Sequence, residues 1–146
     1  MTYIKRRHGW IACSERLPAL WSLHMPLRIF LVEDNPLIRQ TMQDMLEEVL
    51  GARVVAWADT EAGAIEAMRR TEWDVALVDL FLSQGSGIGV ARAFERRGAG
   101  QRLYVVSNYA TPSIRERCAR AAVDGIFDKS TELDRLLEVL APGDPT

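Results

Sequence analysis

From residue 27 onward the chain alternates short apolar runs with amphipathic stretches. Leu27–Val32, Arg53–Ala58, Val75–Val78, Leu103–Val106 and Val123–Asp128 have the length and the β-branched and aromatic content of strands. The third is apolar throughout, as a strand buried on both faces of a parallel sheet must be. The intervening segments carry helical spacing. Asn35-Pro36 supplies a cap and a proline at the first helical position, Ile38, Met42, Met45, Leu46 and Val49 form one apolar stripe, and Gly51 closes it. Asp59 or Thr60 caps a second helix that runs to Arg70 and packs through Ala62, Ile65, Ala67 and Met68. Ile88–Arg97 predicts a third, ended by Gly98, and Thr111-Pro112 opens a fourth. Ser130 or Thr131 caps the last, which buries Leu133, Leu136, Leu137 and Leu140 and stops at Pro142.

Strands and helices in strict alternation predict an α/β fold. Right-handed crossovers then place helices on both faces, giving a flavodoxin-like, doubly wound (βα)5 parallel sheet in strand order 2-1-3-4-5. Residues 27–141 are expected to form this domain, with 142–146 as a short tail. Residues 1–26 show no sustained period and contain Pro18 and Pro26, so they are expected to be an N-terminal extension of uncertain order, with no element assigned. Glu15 and Arg16 interrupt the apolar stretch that a signal peptide would need.

Composition adds bounds. At 146 residues the chain is long enough for one domain with its own core. Cys13 and Cys118 have neither metal-ligand spacing nor the density of a disulfide scaffold, which suits a reducing compartment, and a cytoplasmic location is expected. No stretch reaches the roughly 18 apolar residues of a spanning helix, so no membrane contact is expected. Lys5, Arg6, Arg7 and Arg16 face Glu15 alone in the first 26 residues, leaving an acidic body. That balance argues against nucleic acid as a partner, since such a footprint needs a basic stripe on the folded domain. Lys5 and Lys129 are the only lysines, and a single lysine in the body calls for a reason.

The candidate chemistry sits at strand ends. Asp79 closes the apolar run Trp73–Leu82, where open α/β sheets place their ligand crevice. Alone it is as well explained as a cap for the following turn. Glu33 and Asp34 end the first strand in the same way, and three gathered acids destabilise one another unless a cation joins them. Hard oxygen donors suit Mg2+, which keeps several waters and completes its shell with phosphate oxygens, so phosphoryl chemistry leads. Ser107 and Lys129 end the fourth and fifth strands beside it.

Taken together, Val32-Glu33-Asp34-Asn35-Pro36, Leu77-Val78-Asp79-Leu80, Val105-Val106-Ser107 and Phe127-Asp128-Lys129 make Leu27–Leu140 resemble the CheY-like receiver domain of bacterial two-component response regulators. The resemblance implies a signalling protein, not an enzyme acting on other substrates. It implies that Asp79 accepts a phosphoryl group from a phosphohistidine of a sensor histidine kinase or histidine phosphotransfer protein. It makes Asp34, Asp79 and the backbone carbonyl of Phe81 ligands of Mg2+, with Glu33 acting through water. Lys129 would reach the phosphoryl oxygens as a point charge, and Ser107 would donate its hydroxyl to one of them. The chain ends six residues after the last apolar helix position, so a stand-alone receiver is expected, acting on an unnamed protein target.

Three positions depart from the family's pattern. Ile126 stands where many receivers carry a switching aromatic, Ser130 where many carry proline, and Asn108 replaces the usual small residue. A flavodoxin is excluded because Glu33-Asp34 would repel a phosphate without metal. A haloacid-dehalogenase-type phosphatase would want its second acid where Pro36 stands. The remaining alternative is a degenerate receiver acting as a phosphorylation-independent binding scaffold. Phe81 and Tyr109 flank the approach to Asp79, so slow self-dephosphorylation is expected.

Overall fold

The computed structural model describes residues 3–6, 9–12 and 25–142. Strands β1 (Tyr3–Arg6) and β2 (Gly9–Ala12) form a two-stranded antiparallel sheet in which Ile4 pairs with Ile11 and Lys5 with Trp10. These strands lie in the extension to which the sequence assigns no element. Four-residue strands offer too few alternations for a period to be recognised.

The main sheet is parallel and has the order β4-β3-β5-β6-β7, built from β3 (Arg28–Val32), β4 (Arg53–Ala58), β5 (Val75–Val78), β6 (Arg102–Ser107) and β7 (Gly125–Asp128). Counted from β3, this is the expected 2-1-3-4-5 arrangement. Helices α1 (Pro36–Leu50), α2 (Glu61–Arg70), α3 (Gly87–Ala93), α4 (Pro112–Arg120) and α5 (Leu133–Leu140) make the crossovers.

Side chains alternate across a strand, so neighbouring residues feed different layers. Phe30, Val32, Ala76, Val78, Leu103 and Val105 pack with Ala64, Met68, Val90, Ala91 and Cys118 of α2, α3 and α4. Ile29, Leu31, Val75, Leu77, Tyr104, Val106 and Phe127 pack with Met42, Leu46, Leu136 and Leu140 of α1 and α5. Truncating a fully buried leucine such as Leu31 or Leu77 to alanine costs about 2–5 kcal/mol. The strands therefore hold their carboxyl ends in one fixed row.

Local signals set most boundaries. Asn35 Oδ1 accepts from Leu37 N at 2.9 Å and Ile38 N at 3.2 Å, and Gly51 ends α1 in the left-handed region at φ 64°. Thr60, Ser86 and Thr111 cap α2, α3 and α4 through their hydroxyls. The beginnings of β3 and β5 are tied by Arg28, which donates its backbone N–H and two guanidinium N–H groups to Asp74.

Some boundaries differ from expectation. α3 ends at Ala93, not Arg97: Phe94 turns its ring onto Trp73 (5.9 Å, edge-on), and Arg97 donates to the carbonyls of Phe94 and Ala122. β7 begins at Gly125, because Asp124 is taken up in accepting from Leu103 N and Arg97. Neither Ser130 nor Thr131 caps α5. Glu132 holds that position without a side-chain cap bond, its carboxylate instead accepting from Asp128 N and Arg115. Val49 of the α1 stripe is exposed, while Met42 and Leu46 are buried. Among the described residues no helix is long and apolar enough to cross a membrane.

Candidate functional site

The adjacent strands β3, β5, β6 and β7 bring Glu33, Asp34, Asp79, Ser107 and Lys129 to one end of the sheet. Glu33 N donates to the Ala58 carbonyl and Asp79 N to the Val32 carbonyl, so both acids are fixed by ladder bonds continued past their strands. Lys129 N likewise donates to the Ser107 carbonyl at 3.0 Å. Each side chain stands on a backbone that the sheet itself positions.

One oxygen from each of Glu33, Asp34 and Asp79 falls within 4.8 Å of the others. Lys129 Nζ lies among them, 2.9 Å from Glu33 Oε2 and 3.0 Å from Asp79 Oδ2. The lysine is thus the internal counter-charge of an otherwise repulsive cluster. Glu33 is 2% exposed, and its pKa is pushed up to about 7. Burial is the largest cause, followed by its hydrogen bond with Asp79; Lys129 pulls the other way. Three converging carboxylates whose burial and mutual repulsion push the pKa of one of them up make a donor set that a small hard divalent cation would relieve by displacing the proton.

Ser107 is fully buried, and its hydroxyl oxygen accepts from Tyr109 N at 3.1 Å. A hydroxyl has one donor and two lone pairs, so this bond leaves its proton uncommitted. Phe81 and Tyr109, 54% and 60% exposed, meet edge-to-face at 5.2 Å and 87°. Ile126 is half-buried, whereas the neighbouring Phe127 is buried against Tyr104 at 5.7 Å and is committed to the layer of α1 and α5. Asn108 Oδ1 lies 3.4 Å from the Ser130 hydroxyl, so the two atypical positions face each other beside Lys129.

Two contributors gave no signal in the sequence. Arg39 donates Nη1 to the Glu33 carbonyl at 2.9 Å while its guanidinium stacks 3.6 Å above the Trp57 ring, bracing the end of β3 from α1 and the edge strand β4. Glu61, at the start of α2, accepts from Ser86 N at 3.0 Å and so reaches the loop that follows Asp79.

Residues 29–141 match the family described as the response regulator receiver domain. The chain belongs to this family. The receiver is 30% identical over 118 residues to the nitrate/nitrite response regulator protein NarP of Escherichia coli K12, a match spanning 81% of this chain and 55% of that protein. The chain spans about half the length of such curated relatives. A solved two-component response regulator of the LuxR family from Aurantimonas sp. SI85-9A1 is 25% identical with a TM-score of 0.72, over 78% of this chain and 81% of that one. A CheX-CheY-BeF3-Mg complex from Borrelia burgdorferi shares the fold at 13% identity, with a TM-score of 0.72 over 84% and 95% of the two chains. This receiver is a signalling domain of two-component systems, a family in which phosphorylation and magnesium are typical.

Proposed function

We propose that this receiver takes a phosphoryl group onto Asp79 from the phosphohistidine of a sensor histidine kinase or histidine phosphotransfer protein and passes the signal on through protein–protein contacts. The observation that carries the reading is the placement of Lys129 Nζ within 3.0 Å of both Glu33 and Asp79, beside three converging carboxylates and a buried hydroxyl.

An Asp79 carboxylate oxygen attacks phosphorus in line with the departing imidazole. The P–N bond breaks as the O–P bond forms, and the imidazole leaves with its electron pair. Lys129 lies on the Asp79 oxygen before transfer, and a small movement carries it to the phosphoryl group, where a flexible ammonium serves as a point charge. Ser107 turns its free hydroxyl proton to a phosphoryl oxygen, which draws on the Tyr109 amide bonded to the same hydroxyl. The loop after β6 thereby senses occupancy of Asp79.

Asp34 and Asp79, with the Phe81 carbonyl and with Glu33 through water, would hold Mg2+. When bound, that ion offsets the charge of the transferring group, a reaction governed chiefly by position and electrostatics. The receiver itself would contact proteins, with nucleic acid and membrane left aside, in keeping with its acidic balance. The test is incubation with acetyl phosphate and Mg2+. A covalent phosphoryl adduct is expected in the wild type and absent from Asp79→Asn; an unmodified wild type would favour the phosphorylation-independent scaffold.

A further inference from the structure

The loop after the acceptor is closed on itself and then clamped from outside. Gly87 N donates to the Leu80 carbonyl at 2.9 Å, and Phe81 pairs with Ser86 through an isolated antiparallel bridge. Onto this closed loop α2 places two hydrogen bonds from one residue. Glu61 N donates to the Gln84 carbonyl at 3.0 Å, and Glu61 Oε1 accepts from Ser86 N at 3.0 Å.

The Gly85-Ser86-Gly87-Ile88-Gly89 run makes room for these contacts. A methyl group added at Gly85 would overlap the Glu61 Cβ, and one added at Gly89 would overlap Glu61 Oε1. One added at Gly87 would overlap the carbonyl oxygen of Asp79. Gly85 also sits at φ +85°, where other residues are strained. Two of the three glycines thus form a seat for Glu61, and the third lets the start of α3 approach the acceptor backbone.

We infer that Glu61 is a positioning residue for the acceptor site: seated among Gly85, Ser86 and Gly89, it fixes the backbone between Asp79 and α3. The Phe81 carbonyl and the Phe81 ring, both carried by that backbone, take their places from this clamp, though the hydrogen bonds of Glu61 go to Gln84 and Ser86 and not to a proposed metal ligand. The proposal deepens the phosphoacceptor reading and rests on it for its consequence in phosphoryl transfer. The clamp itself is testable without phosphorylation.

Five variants decide it: Glu61→Ala, Glu61→Gln, Gly89→Ala, the Glu61→Ala/Gly89→Ala double variant, and Glu66→Ala as a control that removes an equal charge from the same helix. The first readout is hydrogen exchange of the Ser86 amide in metal-free protein. The second is Mg2+ affinity by calorimetry, and the third the acetyl phosphate labelling rate. Groups that orient metal ligands typically change affinity by about 10–100-fold when removed. Glu61→Ala is expected to speed Ser86 exchange and weaken Mg2+ binding about tenfold, at the lower end of that range. Glu61→Gln keeps a carbonyl oxygen for the Ser86 N–H and should restore both, and Glu66→Ala should change neither. Gly89→Ala should reproduce the defect with the charge intact, yet add nothing in the Glu61→Ala background, where the overlap is gone. Unchanged Ser86 exchange or unchanged Mg2+ affinity in Glu61→Ala, or a Gln variant no better than Ala, would overturn the inference. A wild type that takes no phosphoryl group would defeat the acceptor reading while the first two readouts still judged the clamp.

Discussion

Lys129 Nζ donates to Glu33 Oε2 at 2.9 Å across 96 residues of sequence and lies 3.0 Å from Asp79 Oδ2. The Lys129 and Asp79 side chains are only 10% and 12% exposed and that of Glu33 2%, so this lysine is the charge that makes the acid cluster tolerable. Removing one partner of a buried ion pair costs about 3–5 kcal/mol. Lys129→Ala is therefore expected to lose stability on that scale in metal-free urea unfolding and to recover part of it in Mg2+. An unchanged midpoint without metal would contradict the assignment.

The same arrangement gives Asp79→Asn the opposite sign. The amide removes the repulsion between Asp79 and Glu33, while Glu33 keeps Lys129 as its partner. The metal-free variant should melt at or above the wild-type temperature, as thermal scans will show. A substantial drop would mean that Asp79 stabilises the fold by its charge.

Glu33 sets a pH dependence whose sign follows from its raised pKa of about 7. Above the ordinary carboxylate value of 4.5 the unfolded chain has released this proton while the folded one still holds it. Stability from this group therefore falls as pH rises from 4.5 to about 7. Urea midpoints of metal-free protein across that window should show the decline, and Glu33→Gln should remove this component. Mg2+ affinity should rise over the same window, since binding expels the proton.

Phe81, two residues after Asp79, and Tyr109, two after Ser107, meet edge-to-face with ring centroids at 5.2 Å. If the pair flanks the approach to Asp79, as expected from its sequence position, it will hinder the in-line water that hydrolyses an acyl phosphate. One oriented water is worth about 1.4 kcal/mol, or tenfold in rate. Replacing Phe81 with Asn and Tyr109 with Ala should speed loss of the phosphoryl group about tenfold together. Decay measured after donor removal that is unchanged or slower in both variants would refute the shielding.

Among the described residues, the members of the two apolar layers lie between Leu27 and Leu140. A chain begun at Met25 should therefore keep its unfolding free energy within about 0.5 kcal/mol, the range of changes that leave a core untouched. Failure of that chain to fold would place part of residues 1–24 in the core.

What could be read from the sequence was what is encoded locally or by period. Asn35, Thr60 and Thr111 bond amides two or three residues away, so their caps are visible in a short window. The apolar strand runs lead directly to acids, a serine and a lysine, and the sheet order follows from alternation. Contacts made across long sequence separation were not legible. Glu61 reaches Ser86 25 residues on, and Arg39 reaches Trp57 only because β4 is the edge strand. The end of α3 was misplaced for the same reason: Gly98 is a strong local stop, but the Phe94 ring finds Trp73 first. Glu132 fails as a side-chain cap because a tertiary partner, Arg115, claims its carboxylate.

The proposed role of Asp79 as acceptor is open to direct measurement. Protein phosphorylated with acetyl phosphate and Mg2+, reduced with borohydride and mapped by peptide mass spectrometry, reports the modified carboxyl group directly. Conversion of residue 79 to homoserine, lost in Asp79→Asn and strongly reduced in Lys129→Ala, is the predicted result. Modification at Glu33 or Asp34 instead, or labelling that persists in Asp79→Asn, would contradict it.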